Sequence, residues 1–212
     1  MSLLRLLRKP FPYSFSNFSL HLIFINVIVY FIQKYFRQRG ISLEDFFALN
    51  VYLFIKGRMF WQAFTYMFLH GDFWHLFFNM LMLFWFGVSV ERKVGSKEFL
   101  LFYLLCGTLA GFAMGVLYYL TGTYSYVLGA SASLYAMMLA FATLYPDSNV
   151  YLYFVVPIPS AVLVLAYFIL ELVQAFASDG IAHIGHLFGL FFGWLYIRVR
   201  YRISILKVFG FR

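Results

Sequence analysis

The sequence predicts an all-α polytopic membrane protein, built as one bundle of six transmembrane helices. Three observations predict it. Of the 212 residues, 64% are hydrophobic and only 11% are charged, where a soluble domain carries about 25% charged residues. Six apolar segments approach the roughly 20 residues that a helix needs to cross a hydrocarbon core. The basic residues cluster at the ends of those segments, as membrane topology places them, and not along a stripe. The net charge of +8 is therefore not read as a nucleic-acid surface, and no nucleic-acid partner is expected. The lipid bilayer is the expected environment, and the whole chain, 1–212, is expected to form a single integral-membrane domain with its core at about 17–200.

Residues 1–10 are basic and partly apolar. The long apolar run follows later without a small-residue cleavage site, so a signal anchor is expected. The spans fall near residues 17–36, 73–91, 98–120, 130–145, 158–177 and 182–200. The fourth is short: Tyr145-Pro146-Asp147 ends it, and Pro157-Ile158-Pro159 interrupts the approach to the fifth. With six spans, eleven of the 16 Lys and Arg residues share one side, among them Arg5, Arg8 and Lys9 in the first tail and Arg198, Arg200, Arg202, Lys207 and Arg212 in the last. The positive-inside rule then puts both termini in the cytoplasm, in a plasma or inner membrane if the source is prokaryotic. Cys106 is the only cysteine, so no intramolecular disulfide can form.

The first connection, residues 37–72, is rich in Phe, Leu, Tyr and Trp, as in Phe46-Phe47-Ala48-Leu49 and Phe60-Trp61-Gln62-Ala63-Phe64. A solvated loop would be more polar. A structured element lying partly in the outer leaflet is expected instead. Small residues recur every four positions on three spans: Gly107, Gly111 and Gly115; Ala132, Ala136 and Ala140; Gly185, Gly189 and Gly193. That spacing lets helix backbones approach where lipid offers no hydrophobic drive. The fourth and sixth spans are natural partners, which brings Ser131 towards His186.

Ser131 and His186 carry the chemistry. A hydroxyl and an imidazole on different membrane helices can form a nucleophile and its base, and a lipid-embedded fold does not require them. His75 and Asn79, four apart, share one helix face and can aim donors at one point. Ser131 near a helix N-terminus adds its own backbone N–H, left unpaired by the first turn. Ser133 competes as nucleophile but points about 200° away around a helix of 3.6 residues per turn. His183 competes as base; the glycine spacing favours His186. A metal is the other use for His70, His75, His183 and His186. No acidic residue stands at a spacing such as H-E-x-x-H, so no metal and no cofactor is expected. Asp72 reads as loop polarity and His70 as a support for the first connection. Glu171, the carboxylate within the fifth span, is expected to face a water-filled gap or a backbone donor.

Gly129-Ala130-Ser131 with Tyr135 four residues later resembles the G-x-S-G motif of the rhomboid intramembrane serine proteases. His186-Leu187-Phe188-Gly189, continuing to Gly193, is similar to their H-x-x-G-x-x-x-G helix. His70-Gly71-Asp72-Phe73-Trp74-His75 with Asn79 is similar to their H-x-x-x-x-H-x-x-x-N segment, and Val90-Glu91-Arg92-Lys93 with Gly95-Ser96 fits the end of their second helix. The resemblance spans about residues 55–200 in the family's order. It implies a six-helix rhomboid-like fold with a Ser–His dyad and no aspartate: Ser131 as nucleophile, His186 as general base, His75 and Asn79 in the oxyanion hole with Gly129 beside them, and Tyr135 stacked on the imidazole. It also implies transmembrane protein substrates cut near the outer face. Two positions depart from the pattern. Ala132 replaces the family's glycine after the nucleophile, and Gln62, after Trp61, replaces a basic residue. Two readings follow: an intramembrane serine endopeptidase, or an inactive rhomboid-like protein that binds membrane helices without cleaving them. A transporter would call for more intramembrane polar residues and an internal repeat.

Overall fold

The computed structural model describes residues 8–123, 125–152, 155–176 and 181–204. Arg5, Lys207 and Arg212 of the positive-inside count lie outside the described residues. Six longer helices form the bundle: α1 (Phe18–Arg37), α2 (Phe73–Val94), α3 (Ser96–Thr121), α4 (Ser131–Leu144), α5 (Ser160–Ala175) and α6 (Ile181–Arg200). Among the described residues α1, α2 and α3 are long and apolar enough to cross a membrane, and α4 and α5 are shorter apolar helices. The outcome is the all-α membrane bundle that the composition predicts. At 1.5 Å per residue the 14 residues of α4 extend only about 21 Å, less than the roughly 30 Å hydrocarbon core.

Buried carboxylates fasten one end of the bundle. Glu91 accepts bonds from the backbone N–H groups of Phe18 and Ser19, at 2.6 and 2.8 Å. It thereby occupies the N-terminus of α1, where unpaired donors favour an anion. Glu98, at the start of α3, receives the Arg200 guanidinium at 2.5 and 2.8 Å, the Tyr196 hydroxyl at 2.5 Å and the Phe11 N–H at 3.0 Å. The end of α6 is thus tied to the start of α3.

The first connection is ordered. It folds into the short helices Glu44–Phe47, Val51–Ile55 and Gln62–Thr65 and the strand β1 (Leu49–Asn50). β1 pairs antiparallel with β2 (Tyr126–Val127), Leu49 opposite Val127 and Asn50 opposite Tyr126. Gln62 is fully buried; it accepts from the Asn50 N–H at 3.1 Å and reaches the Asp45 carbonyl at 3.3 Å. A neutral amide therefore braces the connection with both a donor and an acceptor. A basic side chain there would present donors alone. Phe46, Tyr52, Phe60 and Trp61 remain half-exposed on its outer side. β3 (Asn149–Leu152) and β4 (Val156–Pro159) pair as a hairpin between α4 and α5.

The glycine stripes have two different partners. On α6, a Cβ at Gly189 would collide with the Ala132 carbonyl, and one at Gly193 would lie 2.9 Å from the Ala136 Cα. Backbone against backbone, α6 packs most extensively on α4. On α3, Gly107 receives Ser133 of α4 together with Met67, Gly111 receives Ala63 with Tyr66, and Gly115 receives Phe54. That stripe therefore seats mainly the first connection, with α4 touching it at Gly107. Gly189→Ala should push α6 off α4. Overpacking of this kind typically costs about 1–3 kcal/mol, and separation of the two helices should lower thermal stability in detergent and activity together. Unchanged melting temperature and activity would show that the contact yields easily.

Candidate active site

The turn that presents Ser131 is held from three sides. Gly129 adopts a φ of 118°, a conformation side chains rarely allow, and a Cβ there would lie 2.6 Å from His75 Nε2. Its N–H donates to the Tyr66 carbonyl at 3.0 Å, while the Tyr66 hydroxyl donates to the Gly107 carbonyl at 2.9 Å. β2 has just paired with β1. Ser131 then opens α4, and the preceding residue, Ala130, gives no side-chain cap. The first-turn N–H groups of α4 face the site unpaired by the helix itself.

His186 Nε2 lies 2.8 Å from Ser131 Oγ. The Tyr135 ring, one turn along α4 from Ser131, lies parallel to the imidazole, with centroids 4.2 Å apart and planes 7° from coincidence. The helical turn starting at Ser131 accommodates the Ala132 methyl, which is buried. The Ser131–His186 contact forms with that methyl in place. Ser133, buried on another face of α4, abuts Gly107 of α3 and is not the serine in contact with the histidine.

Asn79 is buried, and its side-chain Nδ2 has no hydrogen-bond partner among the described residues. A buried unpaired donor is costly, so this amide is one to which a ligand oxygen can bond. Both it and His75 point at Gly129, beside Ser131. His75 stands at the start of α2, where Asp72 accepts the His75 backbone N–H at 2.9 Å. Asp72 is therefore a helix cap as well as loop polarity. That bond, the largest influence on the exposed Asp72 carboxyl, holds it below the usual carboxylate range. Ser131, His186, His75, Asn79 and Gly129 all line one cavity of about 390 Å³. His70 is buried behind His75, its ring 5.1 Å from that of His75, while its backbone exchanges bonds with the Gln33 side chain.

Glu171 is where the sequence reading needs correction. Its partners among the described residues are side chains and not a backbone donor. Its Oε2 lies 2.6 Å from His183 Nδ1 and 3.0 Å from His186 Nδ1, and its Oε1 accepts the Tyr135 hydroxyl. His183 likewise pairs with Glu171 and not with the membrane surface. The 2.6 Å separation is that of direct contact, shorter than the spacing of two ligands about 2.0–2.2 Å from one zinc ion. A carboxylate inside the fifth span was visible in the sequence, but its basic partners sit on a different span, α6, where no local spacing points to them.

The motif set lies in one cavity, in the order His75, Asn79, Ser131, His186. The rhomboid domain model matches residues 57–203. The chain belongs to the rhomboid family. It is 28% identical over 198 residues to the mitochondrial RHOMBOID-like protein 12 of Arabidopsis thaliana, a match covering 84% of this chain and 58% of that protein. It is 31% identical over 137 residues to the mitochondrial Rhomboid protein 1 of Saccharomyces cerevisiae, covering 60% and 39%. It is 34% identical over 92 residues to the Rhomboid protease AarA of Providencia stuartii, covering 42% and 33%. The chain thus matches less than two thirds of the length of each. As a rhomboid, it places the nucleophile candidate at the head of the short α4, inside the bundle.

Asn79→Ala tests the oxyanion side of the site. Loss of one donor typically raises the barrier by about 2.7–4 kcal/mol, so turnover should fall by roughly 10²–10³-fold with substrate affinity little changed. An unaltered rate would place Asn79 outside the reaction.

Proposed function

We propose that this rhomboid is an intramembrane serine endopeptidase that cleaves transmembrane protein substrates. The observation that carries the reading is the 2.8 Å contact between Ser131 Oγ and His186 Nε2 in a cavity of the apolar bundle that His75 and Asn79 also line. Ser131 Oγ attacks the scissile carbonyl carbon while its proton passes to His186 Nε2. The carbonyl oxygen, now carrying the negative charge, is met by donors from His75, Asn79 and the Ser131 backbone N–H. Collapse expels the amine, which takes the proton from His186. A water then enters the cavity, gives its proton to His186 as it attacks the acyl-enzyme, and His186 returns that proton to Ser131 Oγ as the acid product leaves.

The chain acts as one domain over residues 1–212, with six spans and both termini cytoplasmic. Support comes from the basic residues at the ends of the spans and from the short α4, which leaves room for water above Ser131 on the opposite side. The half-exposed aromatics of the first connection seat it in the outer leaflet beside the lipid bilayer. No cofactor and no nucleic acid enters the reaction. One relative is named a rhomboid protease, which supports proteolysis as the activity.

Ala132 carries the rival reading, a rhomboid-like protein that holds membrane helices without cutting them. Incubation of the purified protein in detergent with a single-span transmembrane substrate separates the two. Two fragments, with the cut near the non-cytoplasmic end of the span, are expected. Stable capture of an intact substrate would favour the rival. Cleavage that appears only in Ala132→Gly would identify a disabled protease.

A further inference from the structure

We propose that Glu171 is the third member of this site, a positioning residue that fixes the proton of His186 on Nδ1 and so leaves Nε2 free to accept from Ser131. The proposal rests on the proteolytic reading for its catalytic consequence, but its structural claim stands separately.

Glu171 is 3% exposed, four residues before the end of the apolar α5. A carboxylate so buried persists only where donors surround it. Two bond to it, the Tyr135 hydroxyl on Oε1 and His183 Nδ1 on Oε2, and His186 Nδ1 lies 3.0 Å from Oε2. An ionised carboxylate can only accept. A neutral imidazole facing it through Nδ1 therefore keeps its hydrogen on Nδ1, and its lone pair lies on Nε2. Nε2 is the atom that touches Ser131 Oγ. The His186–Glu171 contact is close but lies off the line of a straight hydrogen bond, so the ring needs a second restraint. Tyr135 supplies it, stacking on the imidazole with one end and donating to the same carboxylate with the other.

In the reaction the Ser131 proton moves to Nε2 while the Nδ1 proton stays where it is. The imidazolium so formed faces a negative charge, and Glu171 remains ionised throughout. Among the described residues, His75 from α2, Tyr135 from α4 and His183 from α6 itself are the other titratable groups around His186. None of these three is a carboxylate, so among the described residues Glu171 supplies the negative charge beside the ring. The arrangement follows the logic of a Ser–His–acid triad with the acid delivered from a separate membrane helix.

Glu171→Gln is the informative variant, because it keeps the shape and can turn an N–H toward Nδ1. That would put the ring proton on Nε2, the wrong tautomer for a base. Turnover should fall by about 10²–10⁴-fold with KM nearly unchanged, and Glu171→Asp should retain more activity than Glu171→Gln. The tautomer is read directly by ¹⁵N NMR of histidine-labelled protein in the Ser131→Ala background, so the readout does not depend on cleavage. His186 is expected as the Nδ1–H form with Glu171 and as the Nε2–H form with Gln. The same tautomer in both proteins, or Glu171→Gln turnover within about twofold of the unsubstituted chain, would overturn the proposal. A tautomer switch in a chain that never cuts would uphold the Glu171–His186 link and count against proteolysis alone.

Discussion

Ser131→Ala is expected to abolish cleavage of a transmembrane substrate, with a fall in kcat on the order of 10⁶-fold, as found when the nucleophile of a serine hydrolase is removed. The substitution deletes the atom that attacks and adds no bulk. The Ser131 side chain is partly exposed to the cavity, where it touches His186 Nε2 and takes no part in the buried α4–α6 seam. Expression and thermal stability should therefore stay near those of the unsubstituted protein. Ser133→Ala is the control: its hydroxyl faces Gly107 on α3, and its loss should leave turnover largely intact. Rates measured side by side on one substrate decide the matter. Substantial turnover by Ser131→Ala would remove the nucleophile from the account.

His186→Ala is expected to be as damaging as loss of the serine, and the double variant no worse than either, because groups that act as one unit do not add. His183→Ala should be milder, by about tenfold or less in turnover. Both histidines lie against the Glu171 carboxylate, but His186 alone of the two touches Ser131. Without His183, Glu171 keeps the Tyr135 hydroxyl and His186 as partners. Kinetics of the three variants establish the order, and a His183→Ala enzyme slower than His186→Ala would reverse the assignment of the base.

Much of this architecture was legible from periodicity and composition, because a membrane helix declares itself by a run of apolar residues. All six long helices fall within a few residues of the spans read from the sequence. The small-residue stripe of α6 also told truly, since Gly189 and Gly193 meet Ala132 and Ala136. The same signal on α3 named no partner. A row of glycines announces a close approach but not whether a helix or a folded connection fills it, and here both do: Ser133 of α4 at Gly107, and Met67, Ala63, Tyr66 and Phe54 of the first connection along the stripe. Gln62 looked like a lost charge. Only the backbone of residues 45–50 around it reveals why an amide, able both to donate and to accept, suits the position. Glu171 was read as facing a water-filled gap or a backbone donor because its partners come from α4 and α6, and contacts between helices leave no trace in local spacing.

The central claim is that Ser131 is chemically activated by the fold, and covalent labelling by a fluorophosphonate tests it most directly. The reagent phosphonylates a serine whose proton a neighbouring base removes, and it leaves ordinary hydroxyls alone. Mass spectrometry of the folded protein in detergent should find one adduct, on Ser131, lost in Ser131→Ala and strongly reduced in His186→Ala. A folded chain that takes up no label, or takes it on Ser133 instead, would contradict the account.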